Sequence, residues 1–123
     1  MANPNIIDAT NIYGKTVFDA DIATSASAIV TNAASSGKIL KINSLIIANI
    51  DGSSAADITA TIKNAAGNST SSTIANTVSV PADATLVLIS KDTSIYLEED
   101  MSIHLAASAS GDLSGTCSYE EIS

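Results

Sequence analysis

Apolar residues recur at every second position along much of this chain, a period that strands can use and helices cannot. In DITATIKNA, Ile58, Ala60 and Ile62 fall on one side of an extended backbone. The seventeen Ile, five Val and twelve Thr reinforce the pattern, because β-branched side chains suit a pleated, half-buried surface. Turn signals interrupt it at short intervals: AASSGK, DGSSAAD and AAGNS, with Pro81 closing SSTIANTVSV because proline cannot continue a ladder. No segment holds apolar residues at i, i+3, i+4 and i+7 over three turns, which leaves room only for a helical turn near Asn32 to Ser36 or Asn64 to Asn68.

The pattern therefore predicts an all-β fold, an antiparallel β-sandwich of jelly-roll or immunoglobulin-like type with about eight strands. One or two irregular strands fall between Ile6 and Ile22, and another near Ser25 to Asn32. KILKINSLIIANI is the longest, with Leu40, Ile42, Leu45 and Ile47 inward and a bulge expected at Asn43 and Ser44, where the register shifts. DITATIKNA, SSTIANTVSV, ATLVLISK, SIYLEE, MSIHLAA and LSGTCSYEEI complete the set. The 123 residues fit a single domain, 1–123, with residues 1–20 read as an extended N-terminal arm plus the first strand.

Charged residues make up 15% of the chain, against about 25% in ordinary globular proteins. Ala, Ser and Thr supply 51 of the 123 residues, so much of the surface must be small and neutral. Covering such a surface costs little side-chain entropy, whereas immobilising Lys or Arg costs up to about 2 kcal/mol each. That composition suits packing in an assembly, and a homo-oligomer is expected. A net charge of -8 without a single Arg argues against nucleic acid, which is held by clustered basic residues. No membrane partner is expected, since no run of about 18 apolar residues occurs. MANPNIIDATNIYGK has neither a basic n-region nor a sustained apolar stretch, and Cys117 has no second cysteine to pair with. Folding in a cytosol is the expectation.

Residue inventory also limits chemistry. His104 is the only histidine, so any nucleophile–imidazole arrangement must be built on it, with Cys117 or a serine as partner. G-x-S-x-G, G-x-x-x-x-G-K-[ST] and H-E-x-x-H are all missing from the sequence, and we expect no enzyme activity and no catalytic residues. Cys117 reads as a core residue, because no basic neighbour in sequence would stabilise a thiolate. The acids Asp51, Asp57, Asp83, Glu98 to Asp100 and Asp112 fit no calcium-loop spacing, and no metal or cofactor is expected. Asn68 in N-S-T formally matches a glycosylation acceptor and reads as a turn residue.

SIYLEEDMSIHLAAS sets three acids near the histidine and so resembles a site. Parity places Met101, Ile103 and Leu105 on one face and Ser102, His104 and Ala106 on the other. Read as a hairpin with Glu98, Glu99 and Asp100 as a three-residue loop, Leu97 faces Met101 and Ile95 faces Ile103. Tyr96 would then lie opposite Ser102, and Ser94 opposite His104. The acids would point off the tip, away from the imidazole, which leaves Tyr96 and His104, together with Tyr13, as candidate interface residues.

NPNIIDATNIYGKT, NSLIIANIDGSSAADITATI, VSVPADATLVLISKDTSIYLEEDMSIHLAASASGDL and SYEEIS together resemble small virion structural proteins of tailed bacteriophages, particularly those of marine bacteria. The resemblance covers most of the chain. It implies a virion location and a non-enzymatic structural role, with phage capsid or tail proteins as partners. Capsid decoration is the leading expectation, and a neck, tail or fibre component the alternative. One local departure is that relatives often carry glycine after the paired glutamates, where this chain has Asp100 and Met101. Asp tolerates left-handed backbone better than most residues. A glycan-binding sandwich is the reading from another class, weakened because sugar platforms are aromatic and only Tyr13, Tyr96, Tyr119 and Phe18 are present.

Overall fold

The computed structural model describes residues 4–64 and 71–123. Among them nine strands form two antiparallel sheets packed as a β-sandwich: β1 (Ile12–Asp19), β2 (Ser27–Thr31), β3 (Ile39–Asn49), β4 (Ala56–Lys63), β5 (Ser71–Val80), β6 (Thr85–Ile89), β7 (Ile95–Leu97), β8 (Ser102–Ala107) and β9 (Leu113–Ile122). The first sheet runs β1-β9-β3-β6, with β7 also on β3; the second runs β2-β8-β4-β5. No helix of the described residues is long and apolar enough to cross a membrane.

β3 is the spine of the first sheet, with β9 along one side and β6 and β7 sharing the other. Its pairing with β9 shifts between Ile42 and Ser44, the bulge that the odd spacing of its apolar residues required. That extra residue turns Leu40 and Ile42 to the same side as Leu45 and Ile47, and all four are buried. Across from them lie Ile58 and Ala60 of β4 and Ile103 and Leu105 of β8, in one apolar cluster. Each fully buried Ile or Leu contributes about 1.5–3 kcal/mol. Gly115 of β9 makes room in this layer: a Cβ there would lie 3.1 Å from Leu105 Cδ1 and 3.3 Å from Ile22 Cδ1.

Several expectations are corrected. Ile6–Asp8 is a turn of 3-10 helix, not strand, because Asn5 Oδ1 accepts the Ile7 N–H and caps it. Asn32 to Ser36 is a turn rather than a helix; Ser35 and Gly37 both adopt positive φ, which a helix excludes. The turn expected at Ala65 to Ser69, the rest of the Asn64 to Asn68 segment, and Asn68 itself lie outside the described residues.

The expected hairpin of Ile95–Leu97 with Ser102–Ala107 does not form. β7 pairs with β3, setting Leu97 opposite Leu40, Tyr96 opposite Lys41 and Ile95 opposite Ile42. β8 joins the other sheet, between β2 and β4. Glu98 to Asp100 is thus a crossover between sheets, with Asp100 in the left-handed region at φ 71°. Two strands with the same inward apolar parity fit equally well side by side or face to face across a core. Backbone hydrogen bonding decides for the second arrangement.

Asn32 is the residue that enforces it. It is 2% exposed, and its backbone N–H donates to Met101 O while its carbonyl accepts from the Asp100 N–H, both at 2.8 Å. Its Nδ2 donates to Lys38 O at 2.9 Å and Leu97 O at 3.0 Å, and its Oδ1 accepts from Ser36 Oγ at 2.6 Å. One buried amide therefore ties the β2–β3 turn to the crossover, with both amide protons and the amide oxygen engaged. Asn49 repeats the device at the end of β3. Its Nδ2 donates to Ser54 O and Val80 O, both at 2.9 Å, and its Oδ1 accepts the Asp51 N–H at 2.8 Å.

Candidate interaction surfaces

Tyr96, His104 and Tyr13 are not brought together. Tyr96 lies beside Lys41 on the outer face of the first sheet, 42% exposed. His104 lies on the outer face of the second sheet, between Ala28 of β2 and Thr61 of β4. Tyr13, on β1, stands opposite Glu121 of β9, with its hydroxyl 3.5 Å from Asn11 Oδ1.

His104 Nε2 is 2.9 Å from Ser102 Oγ, two residues away on the same strand. A catalytic serine–histidine pair needs a carboxylate or carbonyl to orient the other ring nitrogen. Here Nδ1 is buried with no hydrogen-bond partner, and Ser102 is itself buried. Burial, reinforced by Lys63 on the neighbouring strand, holds the imidazole below its ordinary pKa. The pair reads as a packed, neutral histidine steadied by a hydroxyl.

Cys117 is fully buried in the core, as its sequence context implies, and burial pushes its thiol up to about 11. Among the described residues no group of three His, Cys, Asp or Glu side chains is placed to hold a metal ion. Within DGSSAAD, Asp51 Oδ1 accepts from the N–H and hydroxyl of Ser53 and so closes its own turn. A shallow cavity of about 190 Å³ is lined by Ile62, Asn64, Ser71, Ser72 and Met101, none of them titratable. It is smaller than the roughly 300–1,000 Å³ typical of ligand sites.

Two carboxylates of β9 tie neighbouring segments together instead. Glu121 sits between Lys15 Nζ at 3.0 Å and Lys38 Nζ at 3.1 Å. These two lysines hold its carboxyl below the ordinary range, Lys15 foremost. Glu120 accepts from Asn43 Nδ2 at 3.0 Å, which anchors the bulge of β3.

The outer faces are largely small and neutral. One row across the second sheet reads Ala28, His104, Thr61, Thr73. The corresponding row across the first reads Phe18, Thr116, Ile46, Val87, in which Phe18 is 75% and Val87 57% exposed. Sequence reading missed this apolar stripe, since its members come from four strands and meet only once strand order is known. No protein-family model matches the chain, and no curated protein matches it either.

Proposed function

We propose that this protein is a non-enzymatic structural component of a tailed-bacteriophage virion, a decoration or cement protein seated on the outside of the capsid shell. The observation that carries the reading is the character of the two outer sheet faces. They are paved by Ala, Ser and Thr, with one apolar stripe through Phe18, Ile46 and Val87. Such a surface surrenders little side-chain entropy when a neighbour covers it, and a stripe of this kind gives the contact a dry centre. The resemblance of the sequence to small phage virion proteins points the same way. The excess of acids suits a basic patch on a partner protein and disfavours packaged DNA.

Binding to emptied capsids tests it. Saturation near one copy per shell subunit is the expected result, and Phe18→Ser together with Val87→Ser should weaken it. A few copies per particle would move the protein to the neck or tail. Saturable binding on a glycan array, abolished by Tyr96→Ala, would replace the structural reading with host recognition.

A further inference from the structure

We infer that β1 is a self-complementary edge through which two copies of this chain pair antiparallel, joining their first sheets into one. The pairing stands independently of where the protein acts.

Exposed sheet edges invite partners, and proteins ordinarily guard them with bulges, breaks or short strands. Three of the four edges described here are guarded. β2 is five residues long, with a register shift between Ala28 and Val30. β5 pairs with two register shifts and carries Thr77 at φ 48°. The β6 and β7 edge is interrupted by the 3-10 turn Lys91–Thr93. β1 has none of these devices: all eight of its residues pair with β9 in unbroken register, without proline. Its one lysine, Lys15, is engaged by Glu121 of its own chain.

The free groups of β1 can be assigned. Asn11 and Ser123 exchange both backbone hydrogen bonds at 2.9 Å, in register with the β1 and β9 pairs. Alternation then points the N–H and C=O of Tyr13, Lys15, Val17 and Asp19 at β9, and those of Ile12, Gly14, Thr16 and Phe18 at the open edge. A two-fold pairing must match outward groups with outward groups, on a common face. Centring it on Lys15 sets the two lysines directly opposite each other, a like-charge clash.

Centring it on Thr16 removes that clash. Thr16 meets the partner's Thr16, and Gly14 meets the partner's Phe18 on the outer face, with about six backbone hydrogen bonds across the seam. Gly14 has open space where a side chain would stand, with nothing within 4 Å of the position a Cβ would take. Phe18, among the most exposed apolar side chains, would lie over that gap twice, as aromatic residues do over edge glycines. On the other face Lys15 lies opposite the partner's Val17 and diagonal to its Asp19, a complementary pair of charges. The seam is short, so the dimer should be of modest affinity in solution.

Sedimentation velocity over a concentration series tests the pairing. The wild-type chain should pass from monomer to dimer by roughly 100 µM. Thr16→Pro removes an outward N–H that β9 does not use, and should weaken dimerisation roughly tenfold or more with the far-ultraviolet spectrum unchanged. Phe18→Ser, which leaves the backbone alone, should weaken it as well.

Mild oxidation then reads the register. Tyr13→Cys with Asp19→Cys should give a disulfide-linked dimer, because these positions face each other across the seam and lie about 20 Å apart within one chain. Tyr13→Cys with Val17→Cys, matched to the Lys15-centred register, should not, when both pairs are carried in a Cys117→Ala chain so that position 17 has no thiol opposite it on β9. A wild-type chain that stays monomeric throughout, or equal cross-linking of both double variants, overturns the inference.

Discussion

Replacing Asn32 should destabilise the fold out of proportion to the small volume removed. Asn32→Ala deletes the donors to Lys38 O and Leu97 O and the acceptor for Ser36 Oγ. The bonds lost at the buried Leu97 carbonyl and at the part-buried Lys38 carbonyl contribute about 0.5–1.5 kcal/mol each, and the small gap left at this buried site adds about 1 kcal/mol. Ser36 can turn its hydroxyl to water. The expected loss is about 2–4 kcal/mol, large against a total stability of about 5–15 kcal/mol.

Asn32→Asp should be worse at neutral pH. It keeps the Ser36 contact but aims a carboxylate oxygen at two carbonyls within 3.0 Å of the former donor. Urea unfolding followed by far-ultraviolet circular dichroism measures both. An unchanged m-value would show that the denatured state is not involved, and Asn76→Ala, on an exposed part of β5, serves as the control. A loss below about 0.5 kcal/mol for Asn32→Ala, or an aspartate tolerated as well as alanine, would refute the role assigned to this amide.

Cys117 should resist an aromatic disulfide reagent in the native state and react at the rate of global opening, with urea accelerating it in parallel with unfolding; fast native-state labelling would contradict its burial. Gly115→Val should cost about 1–3 kcal/mol in urea unfolding, because its methyl groups would press on Leu105 and Ile22. Stability should fall through two titrations, read from urea midpoints. The first opens below about pH 6.5, where the unfolded chain takes up a proton that folded His104 refuses until its own lower pKa is reached, and His104→Gln should abolish it. In the second, the contribution of Glu121 is complete above the unfolded carboxylate pKa of about 4.3 and is lost as pH falls through its lower folded value; Lys15→Ala with Lys38→Ala should shrink this loss.

Strand positions and inward faces were legible because a period of two is local information. The bulge at Asn43 followed from the spacing of Leu40, Ile42, Leu45 and Ile47, and the end of β5 from Pro81. Partner choice was not legible. The same apolar parity that matched Ile95 to Ile103 in a hairpin also lets β7 and β8 face each other from opposite sheets. The missing signal was present in another form. Asn32 continues the inward parity of Val30, and Asn49 that of Leu45 and Ile47. A buried amide needs several partners, so an asparagine on a core parity at a strand end marks a place where separate loops converge. The apolar stripe through Phe18, Ile46 and Val87 had no such signal, since each member looks like an isolated exposed residue along its own strand.

The β1–β9 pairing also sets an order of events during synthesis. Lys15 and Glu121, which meet across that ladder, are 106 positions apart. A ribosome adding about 5–20 residues per second takes roughly 5–20 s to travel between them. Throughout that interval Ile12, Tyr13 and Phe18 have been made but the strand that receives β1 has not. The earliest of the nine strands therefore has no partner until the last is made, and a nascent chain stalled before Leu113 would present β1 bare along both edges.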